Sequence, residues 1–339
     1  MRELKFGQAV EDALAQAMAL DERIIVFGED SASYRRNLLV RFGTQRVMNT
    51  PISESALMGA AVSAAMAGLR PVLDLTLVDF IGVAMDGLLN HAAKIAAFSD
   101  GQWTVPMVVW AACGGGYGDG GQHEQSLWGW LAHIPGLTVL VPSTPADAGA
   151  LMLAALEHDG PVIFLEHKLL ADYWLDWMGG SSRPTVTFDV PSAGAKGPVP
   201  ADWQPAVLGQ ARSRRGGSDL TMVSVGVGVH RAVEAANRLA ETHGIEAEVI
   251  DLRSVAPLDR DAVCQSVAVT GRLLVVDEDY EGYGLSGELA AIALEQGLNF
   301  RYRRVCTKTT IPYARYLEAQ TLPNVARIMK AALQLAVVN

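Results

Sequence analysis

Short apolar runs alternate with stretches of helical spacing along the first half of the chain. The run at residues 24–27, closed by Gly28, follows a helical pattern over residues 9–19. A Ser/Thr cap, a proline in the first turn and an alanine- and leucine-rich body predict a helix over residues 143–158. Further apolar runs predict strands at residues 72–77, 105–110, 138–141 and 162–165. This alternation predicts a mostly parallel sheet with helices on both faces.

The same alternation returns in the second half of the chain. Apolar runs predict strands at residues 220–225, 247–252, 273–276 and 302–306. Helical spacing predicts helices over residues 229–241, 260–269, 286–296 and 325–335. Between the halves, glycine, serine and proline interrupt the pattern. We therefore predict an α/β fold of two doubly wound domains, residues 1–180 and 207–339, joined by a linker of residues 181–206.

Composition and charge narrow the classes of function. Half of the 339 residues are apolar, which suffices for two substantial cores. The 27 basic and 37 acidic residues give a net charge of -10, which argues against nucleic acid or a membrane as the main partner. The sequence has neither a signal-peptide pattern nor a membrane-spanning stretch, and its three cysteines lack metal-ligand spacing. We therefore expect a cytoplasmic protein.

One sequence run places a carboxylate at the start of a helix. In NTPISES, residues 49–55, Ser53 and Glu54 precede a stretch rich in glycine and alanine over residues 59–68. The small side chains of this stretch allow another backbone or a cofactor to approach closely. On these residues alone, two roles are open for Glu54: it favours the positive end of the helix, or it takes part in chemistry.

Eight motifs recur in the order and spacing of one protein family. They are residues 49–55, 92–94, 122–125, 135–139, 142–148, 166–168, 251–253 and 257–259. With these motifs, the chain resembles the beta subunit of the thiamine-diphosphate-dependent, decarboxylating component of 2-oxo acid dehydrogenase complexes of the pyruvate, branched-chain and acetoin types. The similarity covers nearly the whole chain. It implies a pyrimidine-binding-like domain followed by a transketolase C-terminal-like domain.

The resemblance implies roles for three residues of this chain. Glu54 stands where the family has the glutamate that hydrogen-bonds a ring nitrogen of the cofactor's aminopyrimidine and favours its imino tautomer. Phe80 stands where an aromatic side chain lies against the same ring. His123 stands where a histidine serves acyl transfer to a lipoyl group. The expected site is thus Glu54 and His123 for catalysis, with Glu54 and Phe80 for cofactor binding.

The triplet Gly118-Asp119-Gly120 resembles half of a metal-binding motif. Thiamine-diphosphate enzymes hold the diphosphate and its magnesium with GDG and a downstream asparagine, whose oxygens suit a hard cation. This chain has no asparagine between Asn90 and Asn237, so we expect no metal ligand here. The resemblance implies that an alpha subunit supplies the diphosphate and magnesium half of a shared site, and that this chain is inactive alone. Potassium binding is left open.

The resemblance also implies an alpha-2 beta-2 heterotetramer, a lipoyl-bearing acyltransferase partner and a 2-oxo acid substrate. Departures from the family pattern lie around the expected entrance. Glu124 replaces a small serine beside His123, Trp110 replaces a common arginine, and the segment of residues 31–42 is shortened. We expect Glu124 to act on His123 or to exclude an anionic substrate tail. Two alternatives remain: a transketolase-like thiamine-diphosphate-dependent carboligase heteromer without lipoyl transfer, and an inactive assembly subunit.

Overall fold

The computed structural model describes residues 2–171, 173–179 and 188–336. The strands are β1 (Arg2–Lys5), β2 (Ile24–Glu29), β3 (Val47–Thr50), β4 (Arg70–Leu77), β5 (Val108–Cys113), β6 (Thr138–Leu140), β7 (Val162–His167), β8 (Lys196–Val199), β9 (Arg212–Arg215), β10 (Leu220–Ser224), β11 (Ala247–Asp251), β12 (Ser254–Ala256), β13 (Arg272–Tyr280) and β14 (Arg301–Thr307). The helices are α1 (Phe6–Leu20), α2 (Ser31–Tyr34), α3 (Arg36–Phe42), α4 (Glu54–Met66), α5 (Ile81–Asp86), α6 (Ile95–Phe98), α7 (Trp128–Ala132), α8 (Pro145–Glu157), α9 (Ser192–Ala195), α10 (Val227–His243), α11 (Arg260–Thr270), α12 (Leu285–Glu295), α13 (Arg315–Thr321) and α14 (Val325–Ala336). Shorter turns are the 3₁₀ segments Val78–Phe80 and Gly120–Gln122 and the π-helical segments Gly87–Ala92 and Trp174–Gly179. None of the helices within the described ranges has the length and apolar character needed to cross a membrane.

Two sheets and a two-stranded ribbon form the scaffold. The larger sheet has the strand order β12-β6-β7-β5-β4-β2-β3, and its neighbouring strands are parallel except for β12 against β6. The smaller sheet has the order β14-β13-β10-β11-β9, in which only β9 runs antiparallel to its neighbour. The ribbon pairs β1 with β8 in antiparallel fashion. The predicted α/β architecture with mostly parallel sheets is confirmed.

Burial on both faces explains why the central strands read as continuous apolar runs. On β5, Val108 and Trp110 face a core that α1 and α8 share. Val109 and Ala111 face the opposite core, which includes α4. This second core continues through Val275 of β13 to α11 and α12, while the other face of β13 packs against α10 and α14. The two sheets therefore share one hydrophobic core.

The segment predicted as a linker packs against helices of the larger sheet. Trp203 is buried, and its indole Nε1 donates to Asp12 Oδ2 at 2.7 Å. Its backbone N–H donates to Gln16 Oε1 at 2.9 Å, and a Cβ added to Gly149 of α8 would lie 2.3 Å from its ring. Residues 181–187 lie outside the described residues. The domain boundaries at 180 and 206 stay a prediction.

Two strands depart from the predicted topology. β12 belongs to the second half of the sequence but joins the edge of the larger sheet. β9, with the sequence RSRR, forms the edge of the smaller sheet. Strands of three or four residues are too short for an apolar period to reveal them. β5 also begins three residues later than predicted, because Pro106 lacks the backbone N–H that a strand requires.

Candidate active site

The three residues predicted for the site follow strands of the larger sheet. Glu54 begins α4, shortly after β3 ends at Thr50. Phe80 ends the 3₁₀ turn directly after β4, and His123 follows the glycine-rich loop after β5. Parallel neighbours bring the carboxyl ends of their strands to one edge, where α/β proteins bind ligands. Glu54, Phe80 and His123 therefore lie at the same edge, and each is half-buried.

Phe80 and His123 are in direct contact. The centroids of their rings are 5.8 Å apart, and the ring planes cross at 89°. Asp79 Oδ1 accepts hydrogen bonds from the backbone N–H of Gln125 at 3.2 Å and from its side-chain amide at 2.9 Å. The hydroxyl of Tyr280 on β13 donates to Gln125 Oε1 at 3.1 Å. These bonds tie the turn after β4 to the loop after β5.

Glu54 lies at the amino end of α4, where the helix dipole favours a negative charge. The next residue, Ser55, donates its hydroxyl to the carbonyl of Val83 on α5 at 2.6 Å, which fixes the start of the helix. Glu29, the last residue of β2, lies near this carboxylate. Burial, then the charges of Asp30 and Glu54, raise the pKa of Glu29. The site edge therefore carries two adjacent carboxyl groups.

The loop before His123 has an alternating backbone conformation. Gly114, Gly116, Gly118 and Gly120 have φ values of 89°, 92°, 87° and 68°. Residues of alternating handedness turn successive N–H groups toward one side and form a concave nest for an anion. Glycine adopts these φ values without the steric cost that a Cβ brings. The sequence GGGYGDGG therefore encodes an anion-binding stretch of backbone.

Carboxylates of this chain fill the nest. Glu124 Oε1 accepts from the N–H groups of Tyr117 at 2.7 Å and Gly118 at 2.8 Å. Its Oε2 accepts from the N–H of Gly120 at 2.9 Å. Glu318 Oε1, on α13, accepts a further bond from Gly118 at 3.1 Å. The loop is thus held by Glu124, which is close to it in sequence, and by Glu318 from the second half of the chain.

The position of Glu124 changes its expected role. Its side chain is fully buried and bonded to the loop backbone, so it does not line an entrance to the site. Burial, reinforced by Glu318 and opposed by Lys168, raises the pKa of Glu124 to about 7. In the part of the chain that the structure describes, no group of three His, Cys, Asp or Glu residues is arranged to hold a metal ion.

Comparison with known proteins identifies the family. Residues 2–172 match the transketolase pyrimidine-binding domain, and residues 209–328 match the transketolase C-terminal domain. The chain is 36% identical to the acetoin:2,6-dichlorophenolindophenol oxidoreductase subunit beta of Bacillus subtilis, over 98% of this chain and 97% of that protein. It is 35% identical to the 2-oxoisovalerate dehydrogenase subunit beta of the same organism, over 99% of each. The pyruvate dehydrogenase E1 component subunit beta of Rhizobium meliloti is 37% identical, over 98% of this chain and 69% of that protein. The chain belongs to the 2-oxo acid dehydrogenase beta-subunit family. The family and the two transketolase-like domains predicted from the motifs are confirmed.

Two solved structures share the fold of this chain. A split gene transketolase, in an inactive beta4 tetramer, has a TM-score of 0.77 at 21% identity and covers 98% of each chain. The transketolase from Leishmania mexicana has a TM-score of 0.66 at 17% identity, over 99% of this chain and 46% of that one. At these identities the structures show a shared transketolase-like fold.

The donor set of this beta subunit fits one half of a thiamine diphosphate site. The carboxyl group of Glu54 suits a hydrogen bond to a ring nitrogen, and the flat ring of Phe80 suits stacking on an aminopyrimidine. The nest of the glycine-rich loop does not fit the diphosphate, because Glu124 and Glu318 already fill it. The beta subunit therefore offers groups for the aminopyrimidine end of the cofactor.

Sequence reasoning missed several residues that shape this site. Lys168, in the Glu166-His167-Lys168 motif, is buried and donates its ammonium to the carbonyl of His123. Burial lowers the pKa of Lys168, against the opposing effects of Glu124, Asp119 and Asp79. A lysine that directly follows a fully buried strand points to such a role. The sequence signal for Asp79 was weaker, because it consisted only of the position of Asp79 next to Phe80.

Proposed function

We propose that this chain and an alpha subunit together form a thiamine-diphosphate-dependent 2-oxo acid dehydrogenase that acts on pyruvate, a branched-chain 2-oxo acid or acetoin. The observation that carries the proposal is the contact between Phe80 and His123 at the sheet edge where Glu54 begins its helix. Membership of the beta-subunit family supports the same reaction class. With a 2-oxo acid the reaction is oxidative decarboxylation. With acetoin, which has no carboxyl group, it is oxidative cleavage of a carbon–carbon bond that releases acetaldehyde. In both cases the acyl group passes to a lipoyl group.

Each site residue has a defined task in this proposal. When bound, thiamine diphosphate supplies a nucleophilic carbon and an electron sink for decarboxylation. Glu54 would hydrogen-bond a ring nitrogen of the aminopyrimidine and hold the proton there. Phe80 would orient that ring by stacking. His123 would move a proton during acyl transfer to a lipoyl-bearing acyltransferase, since an imidazole ring can both accept and donate a proton.

The proposal requires a second subunit. The glycine-rich loop is occupied by carboxylates of the chain itself, so an alpha subunit must bind the diphosphate and its magnesium ion. We propose an alpha-2 beta-2 heterotetramer in the cytoplasm, with the site on the predicted domain of residues 1–180. Binding of a potassium ion stays open.

Reconstitution with a candidate alpha subunit tests the proposal. Rates are measured with thiamine diphosphate, magnesium and an artificial electron acceptor, with pyruvate, 2-oxoisovalerate and acetoin as substrates. We expect activity only in the mixture. Glu54→Gln should lower the rate by roughly 10²- to 10⁴-fold, because the amide cannot exchange a proton with the ring. Glu295→Gln, at an exposed carboxylate on α12, is the control and should retain the full rate.

The substrate and acceptor steps are tested separately. His123→Gln should slow acyl transfer to a lipoyl domain and leave decarboxylation with the artificial acceptor nearly unchanged. Activity of the isolated chain, or a normal rate for Glu54→Gln, would contradict the proposal. Carbon–carbon bond formation without lipoyl transfer would favour the carboligase alternative.

A further inference from the structure

Two buried carboxyl groups join the glycine-rich loop to α13. The side chains of Glu124 and Glu318 are fully enclosed, and the N–H of Gly118 donates to both, at 2.8 Å and 3.1 Å. The Glu124 carboxyl is also hydrogen-bonded to that of Glu318. Two carboxyl groups in contact cannot both be ionised without a large electrostatic cost. The pair therefore holds one proton.

The charged groups around the pair decide where that proton lies. Arg315 Nη1 donates to Glu318 Oε2 at 2.7 Å, so Glu318 has a cationic partner of its own. Lys168, after β7, faces Glu124, and Asp119 in the loop interacts with Lys168. No guanidinium contacts Glu124 among the described residues, and its burial favours the neutral form. Glu124 is therefore the protonated member.

The same loop carries His123. The carbonyl of His123 is bound by Lys168, and the next residue is Glu124 itself. We propose that Glu124 is a positioning residue for His123, and that the proton shared with Glu318 locks the loop so that the His123 ring lies against Phe80. The inference rests on the proposed function only where it assigns His123 a part in acyl transfer.

We call the loop closed when Glu124 is hydrogen-bonded to the loop backbone and to Glu318, and open when these bonds are broken. The stability of the closed loop depends on pH. In the closed loop the pKa of Glu124 is about 7, whereas an exposed glutamate has an ordinary value near 4.5. The closed loop therefore retains a proton that the open loop releases. Closure is strongest at low pH and is lost as pH rises through 7. Between pH 6 and pH 8 the ratio of closed to open loop should fall about tenfold.

Hydrogen exchange on the chain alone tests the lock without any cofactor or partner. The measured quantity is the protection of the amides of Tyr117, Gly118 and Gly120, corrected for intrinsic rates, at pH 6 and pH 8. The unmodified chain should lose about tenfold in protection between these pH values. In Glu124→Gln the protection of Tyr117 and Gly118 should not change with pH, because the neutral amide still accepts from both and donates to Glu318 at either pH. Gly120 loses its acceptor in this variant, because an amide nitrogen does not accept hydrogen bonds. The control, Glu295→Gln, should behave as the unmodified chain.

A second variant keeps the test decisive if Glu124→Gln folds poorly. Glu318→Gln removes the neighbouring charge, so the pH at which protection falls should move below 7. Equal protection at both pH values in the unmodified chain would overturn the inference. An unchanged midpoint in Glu318→Gln would also overturn it.

Activity of the reconstituted complex tests the positioning of His123. Transfer to a lipoyl domain should decline above pH 7 in the unmodified complex, through kcat more than KM, and Glu124→Gln should abolish that decline. A pH-dependent loop with an unchanged transfer profile would overturn the positioning role. A complex that does not decarboxylate would instead contradict the proposed function. The hydrogen-exchange test of the loop would not be affected by that outcome.

Discussion

Gly114 is the residue at which the chain leaves β5 for the glycine-rich loop, and it lies against a buried histidine. His167 Nε2 is 2.8 Å from Glu278 Oε1, and His167 Nδ1 accepts the N–H of Leu169 at 3.2 Å. Because Nδ1 accepts, Nε2 carries the proton and donates it to the carboxylate. A Cβ added to Gly114 would lie 2.0 Å from that Nε2. The absence of a side chain at Gly114 therefore protects a buried hydrogen-bonded pair.

We expect Gly114→Ala to lower the free energy of unfolding by about 3–5 kcal/mol, because it displaces His167 and leaves the Glu278 charge buried without its partner. Gly43→Ala is the matched control. Gly43 also has a positive φ, 78°, but nothing lies within 4 Å of an added Cβ, so only a conformational cost of about 1–3 kcal/mol applies. Urea denaturation of both variants gives the comparison. Equal losses would contradict a role for the contact with His167.

Arg35 places its guanidinium against the ring of Trp110 on β5. The guanidinium carbon lies 3.6 Å from the ring centroid of Trp110. Arg35 Nε donates to Asp74 Oδ2 at 3.0 Å, and Glu166 Oε1 lies 4.0 Å from its Nη2. These charges are all buried. The guanidinium therefore lies between the Trp110 ring and two buried carboxyl groups.

Arg35→Met should lower the free energy of unfolding by about 3–5 kcal/mol, because the buried carboxyl groups of Asp74 and Glu166 would lose the guanidinium beside them. Arg36→Met, at the exposed neighbouring residue, should change it by less than about 0.5 kcal/mol. Thermal and urea unfolding of the two variants measure the difference. Similar stability of both would mean that the guanidinium does not offset the buried carboxylates.

Individual residues also show how much of the candidate site could be predicted from the sequence. The positions of Glu54, Phe80 and His123 followed from motifs and from the strands before them. The role of Glu124 could not be predicted, because it depends on alternating glycine conformations and on Glu318, a residue far along the chain. Such contacts leave no local pattern of apolar and polar residues.

At the scale of elements, the central strands were predictable and the short edge strands were not. β7 and β10 are buried on both faces and therefore read as apolar runs. β1, with the sequence RELK, finds its partner β8 near residue 199, so its strand conformation depends on a distant pairing. The bounds of α8 were predictable within two residues, because Thr144 caps its start and the alanine-rich body follows.

Substitution of Trp203 tests how much the segment predicted as a linker contributes to stability. Its side chain packs on α8 and bonds Asp12 of α1, so Trp203→Ala should cost about 3–5 kcal/mol of stability. Trp103→Ala removes the same side chain where it is 61% exposed and should cost far less. Urea denaturation followed by far-UV circular dichroism measures both. Equal costs would show that the segment contributes little to the larger domain.

At the scale of the whole molecule, a buried carboxyl group links the two halves and makes stability depend on pH. Asp277 Oδ1, on β13, accepts from the indole N–H of Trp128 on α7 at 2.9 Å. Burial, reinforced by the charge of Asp279, raises the pKa of Asp277 to about 7. The folded chain therefore retains a proton that the unfolded chain releases above its ordinary pKa near 3.8. The contribution of Asp277 to stability is complete at low pH and is lost as pH rises through 7.

Asp277→Asn should flatten this dependence, because the amide keeps the acceptor for Trp128 and does not ionise. Between pH 5 and pH 8, the free energy of unfolding should fall more steeply in the unmodified chain than in the variant, by an amount on the order of a few kcal/mol. Asp202→Asn, at an exposed carboxylate, should retain the original slope. Parallel slopes for the chain and for Asp277→Asn would contradict a neutral Asp277 in the folded state.

The shared core predicts that both sheets unfold together. All seven tryptophans lie between residues 103 and 203, so fluorescence reports the first half of the chain, whereas circular dichroism reports both halves. Because the core of the larger sheet continues through Leu273 and Val275 of β13, the two signals should give one urea midpoint. Leu273→Ala should lower the free energy of unfolding by about 2–5 kcal/mol and move the tryptophan midpoint as far as the dichroism midpoint. A shift confined to circular dichroism would mean that the domains unfold independently.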